Sequence, residues 1–532
     1  MIENRRAMLK GALASAGLAL AGPARAQADG EATAAMKRAT RFMLERASYR
    51  GGYVWQALPD LSRRWGELEA FPTMIWVQAT GTPTMGQLFL DAYRATGDDL
   101  YYKAAGRAAA ALIAGQKPEG GWHYFIDFGG PASTRRWYET IGRNAWRLEE
   151  FQHDWGNATF DDAATSMSAE FLLRFWAEKR DPAVKPALDR AIAFVLRSQY
   201  PNGGWPQRWP ARNPLRRPGH HDYSSYITFN DDVIGGNVEF LLNAYSVFGD
   251  ARFLAAVRRA MEVYLAAQGE PPQAGWALQH TPGDLKPAAA RTYEPRALAT
   301  HTTAANARQL LRFYRWTGDR RFLDAVAPAL DWLDSVRLAN PSVSGGRGGH
   351  PTFVELGTNR PLFIHRRGSN AVNGAYYADH DPHRTIGHYS SFRRIDVAAI
   401  RREHAALSAA DPATLTRASP LTVRPGSPLR PYYEVDERAA RPDPAEVSKV
   451  VRAMDAHGWW PAPLRTTSNP YAGPGPRVPP PGDFATTMVG DQTDTSPYPA
   501  AAPVTGISTQ TYLDNMGVLI RAVRARGSEG TP

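Results

Sequence analysis

The sequence contains no cysteine. This absence excludes disulfide bonds, a thiolate nucleophile, zinc sites built on cysteine and iron–sulfur clusters held by cysteine. The sequence also lacks any uninterrupted apolar run of about 18 residues, the length at which a transmembrane helix is considered. We therefore expect no stable insertion of this chain into a membrane.

Apolar residues are nonetheless plentiful, because 43% of the 532 residues are hydrophobic and 15 are tryptophan. A chain of this composition can bury a substantial core. Its formal net charge is +10 at pH 7. Positive charge of this size suits a polyanionic partner.

The first 26 residues are distinct from the rest of the chain. Residues 4–10, Asn-Arg-Arg-Ala-Met-Leu-Lys, have the form of a twin-arginine export motif, and a short apolar stretch and a small-residue cleavage point follow them. The alternative is the basic helical start of a cytosolic protein. We expect residues 1–26 to be a twin-arginine-type signal peptide and the protein to be periplasmic or secreted. Its removal takes away four Lys/Arg and one Glu, so the net charge falls from +10 to +7.

Four segments repeat a turn centred on an aspartate: Asp98, Asp181, Asp250 and Asp319. Apolar or aromatic residues stand nine and five positions before each aspartate, and a spacing of four puts both on one helical face. In three turns a glycine precedes the aspartate and suits the left-handed position that ends a helix. The aspartate can cap the next helix. Residues 85–337 are therefore predicted to form four helical hairpins.

Each such hairpin buries only part of its apolar surface alone and needs neighbours. The pattern predicts an all-α dominated fold, an α/α toroid, that is, an incomplete α/α barrel of helical hairpins. An ordinary helical bundle is the alternative. We expect the toroid to span residues 27–400.

The remainder, residues 401–532, is predicted to be a Pro-rich, largely irregular extension that ends in a short helix from Thr511 to Arg524. Between Asp411 and Pro503 there are 18 prolines, and few helices can persist in such a segment. It is either a disordered tail or an extended coat on the toroid. We favour the coat, because Trp459 and Trp460 would be costly to leave in water.

Two acidic pairs stand at the same point of the repeat. Asp161-Asp162 precedes the second hairpin and Asp231-Asp232 precedes the third, so both pairs are expected at one end of the toroid in neighbouring sectors. Carboxylates brought together repel unless a cation or a shared proton lies between them. Aspartate oxygens suit a hard cation such as calcium, although an aspartate pair at a helix start is also a common cap.

Longer motifs surround these pairs. Residues 200–207 read Tyr-Pro-Asn-Gly-Gly-Trp-Pro-Gln, and residues 226–232 read Tyr-Ile-Thr-Phe-Asn-Asp-Asp. Together with residues 276–280, 285–294 and 355–363, they resemble the pectate lyases of polysaccharide lyase family ten. The resemblance covers roughly residues 155–370, under half of the chain.

The resemblance implies a function for individual residues. Asp161 and Asp231 match the carboxylates that hold Ca²⁺ in the family, and Arg291 matches its proposed base. Four further residues are expected to contact the substrate: Lys286, Arg366, Trp205 and His280. Two departures stand out, because Asp162 adds a charge beside Asp161 and Thr352 replaces an arginine of the family.

The activity implied is that of a calcium-dependent lyase that cleaves pectate (polygalacturonate), or a related uronate polysaccharide, by anti β-elimination. Positive groups around the uronate carboxylate would stabilise the charge that develops when the C5 proton leaves. Arginine is an unusual base because its guanidinium is normally protonated. An ion pair with Glu294 is the alternative role for Arg291.

The expected partner is thus an acidic polysaccharide or oligosaccharide, with no nucleic acid, and the protein is expected to be a monomer. Two other functions stay open. One is a glycoside hydrolase on an α/α toroid that uses paired carboxylates, for which Asp161 and Asp231 are the candidates. The other is a non-catalytic polysaccharide-binding protein.

Overall fold

The computed structural model describes residues 29–142, 149–211, 222–291, 293–339, 348–367, 375–383, 385, 390–432, 442–464 and 504–523. The predicted signal peptide, residues 1–26, lies outside the described residues.

Helices dominate the described chain, as predicted. A first helix, α1, covers residues 29–42. The others are α2 (Thr82–Thr96), α3 (Asp99–Ala114), α4 (Pro131–Thr140), α5 (Ala164–Lys179), α6 (Lys185–Ser198), α7 (Val233–Phe248), α8 (Ala251–Ala266), α9 (Thr300–Thr317), α10 (Arg320–Asp324), α11 (Val326–Ser335), α12 (Val397–Ala409), α13 (Pro412–Leu415), α14 (Pro444–Arg452) and α15 (Thr509–Val523).

The four predicted hairpins are present, and their turns have the predicted geometry. Gly97, Gly249 and Gly318 end α2, α7 and α9 in the left-handed conformation, with φ of 70°, 71° and 70°. The aspartate that follows each glycine accepts a hydrogen bond from a backbone N–H at the start of the next helix. In the second hairpin Arg180 takes the left-handed position, with φ of 55°.

The hairpins pack side by side into a curved array. Helix α15 contacts α2, α2 contacts α5, α5 contacts α7, and α8 contacts α9, while α12 covers α9 and α11. One cluster of buried apolar side chains runs through all of these sectors. The predicted class, an α/α toroid of helical hairpins, is confirmed.

Short antiparallel strands connect the hairpins at one end. They are β1 (Gln56–Ala57), β2 (Arg64–Trp65), β3 (Glu69–Ala70), β4 (Met74–Trp76), β5 (Phe125–Asp127), β6 (Ala158–Thr159), β7 (Arg208–Trp209), β8 (Ile227–Thr228), β9 (Gln279–His280), β10 (Pro287–Ala288), β11 (Ala297–Ala299), β12 (His350–Pro351), β13 (Phe353–Glu355), β14 (Pro361–Arg367), β15 (Ala375–Asp379), β16 (Phe392–Arg393), β17 (Pro461–Pro463) and β18 (Thr505–Ser508). The pairs β4–β5, β6–β7 and β8–β9 each join the loops of successive sectors.

Residues 411–432, which we call the belt, run back across the ends of the inner helices. Ser419 Oγ donates to the Trp316 carbonyl in α9, at 2.7 Å, and the Gly426 N–H donates to the Ser246 carbonyl in α7, at 2.7 Å. Further along, the Tyr432 N–H donates to Asp91 in α2, at 3.0 Å. Residues 411–432 thus lie against the toroid, and the coat expected over the whole Pro-rich region stays a prediction.

The rest of the described extension contains two helices, α14 and α15, and two short strands, β17 and β18. The predicted last helix is present as α15, and Tyr512 on that helix bonds to Thr40 of α1 at 2.8 Å. Trp460 is 4% exposed and donates to the Val450 carbonyl of α14. Helix α12 crosses position 400, where the toroid was expected to end. None of the described helices has both the length and the hydropathy needed to cross a bilayer.

The hairpin turns allow a matched test of backbone strain. A Cβ added at Gly97 would meet no atom within 4 Å, so Gly97→Ala isolates the cost of its positive φ. We expect this substitution to lower the free energy of unfolding, measured by urea denaturation, by about 1 kcal/mol. Gly106 lies inside α3, where an added Cβ would touch Phe175 at an ordinary 3.5 Å. Gly106→Ala should therefore raise the free energy of unfolding by about 0.5–1 kcal/mol. Effects of the same sign would contradict this account.

Candidate active site

Arg291 lies at the centre of an acidic cluster. Its side chain is only 4% exposed, and its guanidinium contacts carboxylates from separate parts of the chain. The distances are 3.0 Å to Glu150, 3.6 Å to Asp161, 3.2 Å to Asp231 and 2.8 Å to Glu294. Three residues singled out in the sequence, Asp161, Asp231 and Arg291, thus meet at one place.

The repeat explains why the two aspartates meet. Asp161 begins a 3₁₀ turn that leads into α5, and Asp231 lies two residues before α7. In both entry loops the two residues before the helix have positive φ, 48° and 55° at Asp162 and Ala163, and 53° and 55° at Asp231 and Asp232. Asp162 is therefore the structural equivalent of Asp231, and Asp161 occupies the place that Asn230 holds in the next sector.

Asp161 and Asp231 lie beside each other, and each carboxyl group shifts the pKa of the other. Burial, followed by the charges of Asp161 and Asp162, raises the pKa of Asp231 well above its usual range. Burial also opposes ionisation of Asp161, but Arg291, the neighbouring Asp231 and the hydrogen bond from Tyr124 outweigh it and hold its pKa low. Asp231 therefore holds its proton more tightly than Asp161 does.

More carboxylates surround this pair than the sequence indicated. Glu150 accepts a hydrogen bond from Arg291 at 3.0 Å and one from Tyr293 at 3.1 Å. The Gln78 side chain donates to both Glu67 and Asp162, at 3.0 and 2.6 Å. Glu67, Gln78 and Glu150 carry no motif, so only the folded chain identifies them.

The cluster is open on one side. Asp162 is exposed, and the Asp231 side chain is 24% exposed, whereas Asp161 and Glu294 are 2% and 1% exposed. A ligand can therefore reach the cluster from the side of Asp162 and Asp231, while the opposite side is sealed within the protein.

The donor chemistry at this opening fits a hard cation. Carboxylate and amide oxygens are what calcium prefers, and the Oδ1 atoms of Asp161 and Asn230 are buried without a hydrogen-bond partner in the described part of the chain. The present geometry is not that of a closed cage, since no group of three His, Cys, Asp or Glu residues within the described ranges is arranged to hold a metal ion. The Arg291 guanidinium is the cation that the carboxylates contact.

The predicted substrate contacts have different outcomes. The Lys286 side chain is 68% exposed and pairs with Asp284 at 3.2 Å. Arg366 lies in β14, opposite Tyr376 on β15, but its side chain lies outside the described residues. Contact of either residue with a substrate stays a prediction.

Trp205 and His280 need correction, because both are fully buried and their ring nitrogens are already bonded within the protein. The Trp205 indole donates to the Val195 carbonyl of α6, just as Trp122 and Trp276 bond to the preceding helices of their own sectors. His280 Nε2 accepts from the Ala277 N–H, and Nδ1 lies 2.7 Å from the Leu285 carbonyl. Both side chains stabilise the loops in place of contacting a saccharide.

Comparisons with known proteins agree with the motifs. Residues 127–383 match the family model described as pectic acid lyase. This match identifies the chain as a lyase. Over the matched segment, just under half of the chain, it is similar to the pectic acid lyase family, as the resemblance predicted. A search among curated protein sequences gives no match.

Solved structures share the fold at low similarity. A mutant family 10 polysaccharide lyase from Cellvibrio cellulosa, in complex with trigalacturonic acid, is 17% identical with a TM-score of 0.39, over 60% of this chain and 98% of that chain. A cellobiose 2-epimerase from Spirochaeta thermophila is 14% identical with a TM-score of 0.36, over 62% and 74%. An inactive variant of an α-1,6-mannanase from Salegentibacter sp. HEL1_6 is 11% identical with a TM-score of 0.36, over 93% and 99%. These values are too low to bear on activity.

Glu150 makes the cluster sensitive to pH. Burial, only partly opposed by Arg291, raises the pKa of Glu150 to about 7. A carboxyl with a higher pKa in the folded chain holds its proton more tightly there than in the unfolded chain, so stability falls as pH rises from its ordinary pKa towards 7.

We expect the free energy of unfolding, measured with urea, to fall between pH 5 and pH 7.5. At about 1.36 kcal/mol per pKa unit, Glu150 accounts for about 2 kcal/mol of this fall, because the interval covers only part of its titration. Glu150→Gln should flatten the profile, whereas Glu446→Gln, an exposed change in α14, should not. Parallel profiles for the parent and Glu150→Gln would contradict this assignment.

Proposed function

We propose that this lyase cleaves polygalacturonate, or a related uronate polysaccharide, by anti β-elimination, with calcium bound at Asp161 and Asp231. One observation carries the proposal. Residues from three distant motifs meet at one place, because the Arg291 guanidinium lies 3.6 Å from Asp161 and 3.2 Å from Asp231. The family match over residues 127–383 supports the same chemistry.

The reaction requires control of negative charge. The C5–H bond of a uronate breaks, a C4–C5 double bond forms, and the C4–O4 bond breaks while the leaving oxygen gains a proton. A calcium ion, when bound, would neutralise charge that develops on the uronate carboxylate. Asp161 and Asp231 would hold that ion, and Lys286 and Arg366 would contact carboxylates of the polymer.

Arg291 is the proposed base by resemblance, and its surroundings bear on that role. A base needs a neutral guanidinium, but the carboxylates of Glu150, Asp231 and Glu294 each accept hydrogen bonds from Arg291, which favours the charged form. Proton abstraction by Arg291 therefore requires that these pairs open when substrate and cation bind. Without such a change, Arg291 would stabilise the developing charge as a cation.

The hydrolase alternative suits this arrangement less well. Retaining glycosidases keep their two carboxyl groups about 5–5.5 Å apart, and inverting enzymes keep them further apart. Asp161 and Asp231 both pair with the Arg291 guanidinium, at 3.6 and 3.2 Å, so they do not flank an open space for a glycosidic bond.

The export signal and the periplasmic or secreted location stay predictions, because the charge of the chain does not decide them.

The first test follows ultraviolet absorbance during incubation with polygalacturonate. A lyase produces an unsaturated, absorbing end, a hydrolase produces only reducing ends, and a binding protein produces neither. We expect absorbance to rise, to stop after chelation and to recover with added calcium. Asp161→Asn and Asp231→Asn should lower kcat/KM by on the order of 100-fold.

Asp250→Asn is the matched control for these substitutions. Asp250 caps α8 at the opposite end of its hairpin, and asparagine caps as well as aspartate does. This variant should keep full activity. Activity that persists after thorough chelation would exclude the calcium site.

Arg291→Lys tests the role of the arginine. It keeps a positive charge but changes the reach and the fork geometry. A positioned base should not tolerate the change, so we expect kcat to fall severely while binding of the polymer is nearly intact. Activity within a few-fold of the parent would exclude Arg291 as the base.

A further inference from the structure

Arg208, on β7, is a fully buried arginine that has no counter-ion among the described residues. Its side chain has no solvent exposure. None of its three guanidinium nitrogens has a hydrogen-bond partner among the described residues. A buried charge left without a hydrogen-bonding partner is strongly unfavourable, so the protein gains nothing in stability from this guanidinium alone.

Other buried arginines of the chain do have partners. Arg174, 5% exposed, pairs with Glu170 and donates to the Arg430 carbonyl of the belt. Arg291, 4% exposed, pairs with the acidic cluster. Arg208 differs from both in that its five N–H donors are directed at no acceptor within the described ranges.

Two aromatic rings hold Arg208 beside the acidic cluster. Its guanidinium carbon lies 5.0 Å from the ring centre of Tyr124 and 5.3 Å from that of Trp155, which is within range of cation–π attraction. The Tyr124 hydroxyl donates to Asp161. A single aromatic side chain therefore bridges Arg208 and the carboxylate pair.

A cavity lies near Arg208. It has a volume of about 960 Å³, and its wall includes His123, Tyr138 and Asp154. His123 and Asp154 directly precede the two rings that hold Arg208, and the charge of Arg208 acts on both His123 and Asp161. Because Arg208 itself has no solvent exposure, a ligand reaches it only when a covering side chain moves.

We propose that Arg208 binds a carboxylate of the acidic saccharide, beside the Asp161–Asp231 pair, through a bidentate contact. The planar fork of arginine matches a carboxylate, and such charge-assisted pairs are the stronger hydrogen bonds. The identity of the ligand as a uronate rests on the proposed function. Arg208 then fixes the register of the polymer, because a uronate at this point places the next residue at the acidic cluster.

The test measures binding of trigalacturonate by calorimetry to the parent, Arg208→Met and Arg208→Lys. Arg208→Met should weaken binding by roughly 10- to 100-fold, the range of hydrogen bonds to charged groups, and Arg208→Lys should weaken it less. Thermal unfolding without ligand should occur at an unchanged or higher temperature in Arg208→Met, because a buried charge without a partner is removed.

Arg174→Met is the matched control. It also removes a buried arginine, but it leaves Glu170 without its partner, so it should lower the unfolding temperature and leave trigalacturonate binding unchanged. If Arg208→Met does not fold, the affinity of Arg208→Lys for trigalacturonate tests the proposal in its place. Binding equal to that of the parent in a folded Arg208 variant would overturn the proposal, as would a parent that binds no trigalacturonate.

This result is separable from the proposed function. A parent that forms the unsaturated product while Arg208→Met keeps its KM would overturn the role of Arg208 alone. A parent that binds trigalacturonate through Arg208 but forms no such product would overturn the lyase reaction alone. A neutral oligosaccharide of the same length is the control ligand. If Arg208→Met weakens its binding as much as it weakens the binding of trigalacturonate, the contact is not with a carboxylate.

Discussion

The site depends on the ion pairs that one arginine makes with several carboxylates. Four carboxylates would repel one another in a largely dry environment if Arg291 were absent: those of Glu150, Asp161, Asp231 and Glu294. Like charges placed in this way are strongly destabilising. The guanidinium offsets this repulsion and joins loops from four parts of the chain. The starts of α5 and α7 add to it, since helix N-termini favour negative charge.

The entry loops show what this arrangement costs in backbone energy. Asp162, Ala163, Asp231 and Asp232 all have positive φ, a conformation that disfavours side chains other than glycine by about 1–2 kcal/mol each. Backbone strain of this kind collects at functional sites because surrounding structure enforces it. In this chain the enforcing structure is the hairpin that follows each loop, together with the strand pairing on either side of it.

Local chemistry made much of the fold predictable. The turns at Gly97, Gly249 and Gly318 could be identified because their conformation depends on one residue and its neighbour. The Asp161–Asp231 encounter could be anticipated because the repeat places the loops before successive hairpins at the same end, although Asp161 and Asp231 occupy positions one residue apart within those loops. Trp205 was misjudged, since a Gly-Trp motif looks the same whether the indole packs inwards or faces a ligand. Glu67, Glu150 and Arg208 could not be foreseen, because their importance arises only from side chains distant in sequence.

The belt has a consequence for how the molecule holds together. Open arrays of helical hairpins depend on nearest-neighbour contacts and can lose terminal repeats one at a time. Here residues 411–432 bond in turn to α9, α7 and α2, and α15 closes against α2, so the first and last sectors of the ring are tied through contacts hundreds of residues apart. Such long-range closure slows folding. It also prevents fraying from either end, so the toroid should open as one cooperative body.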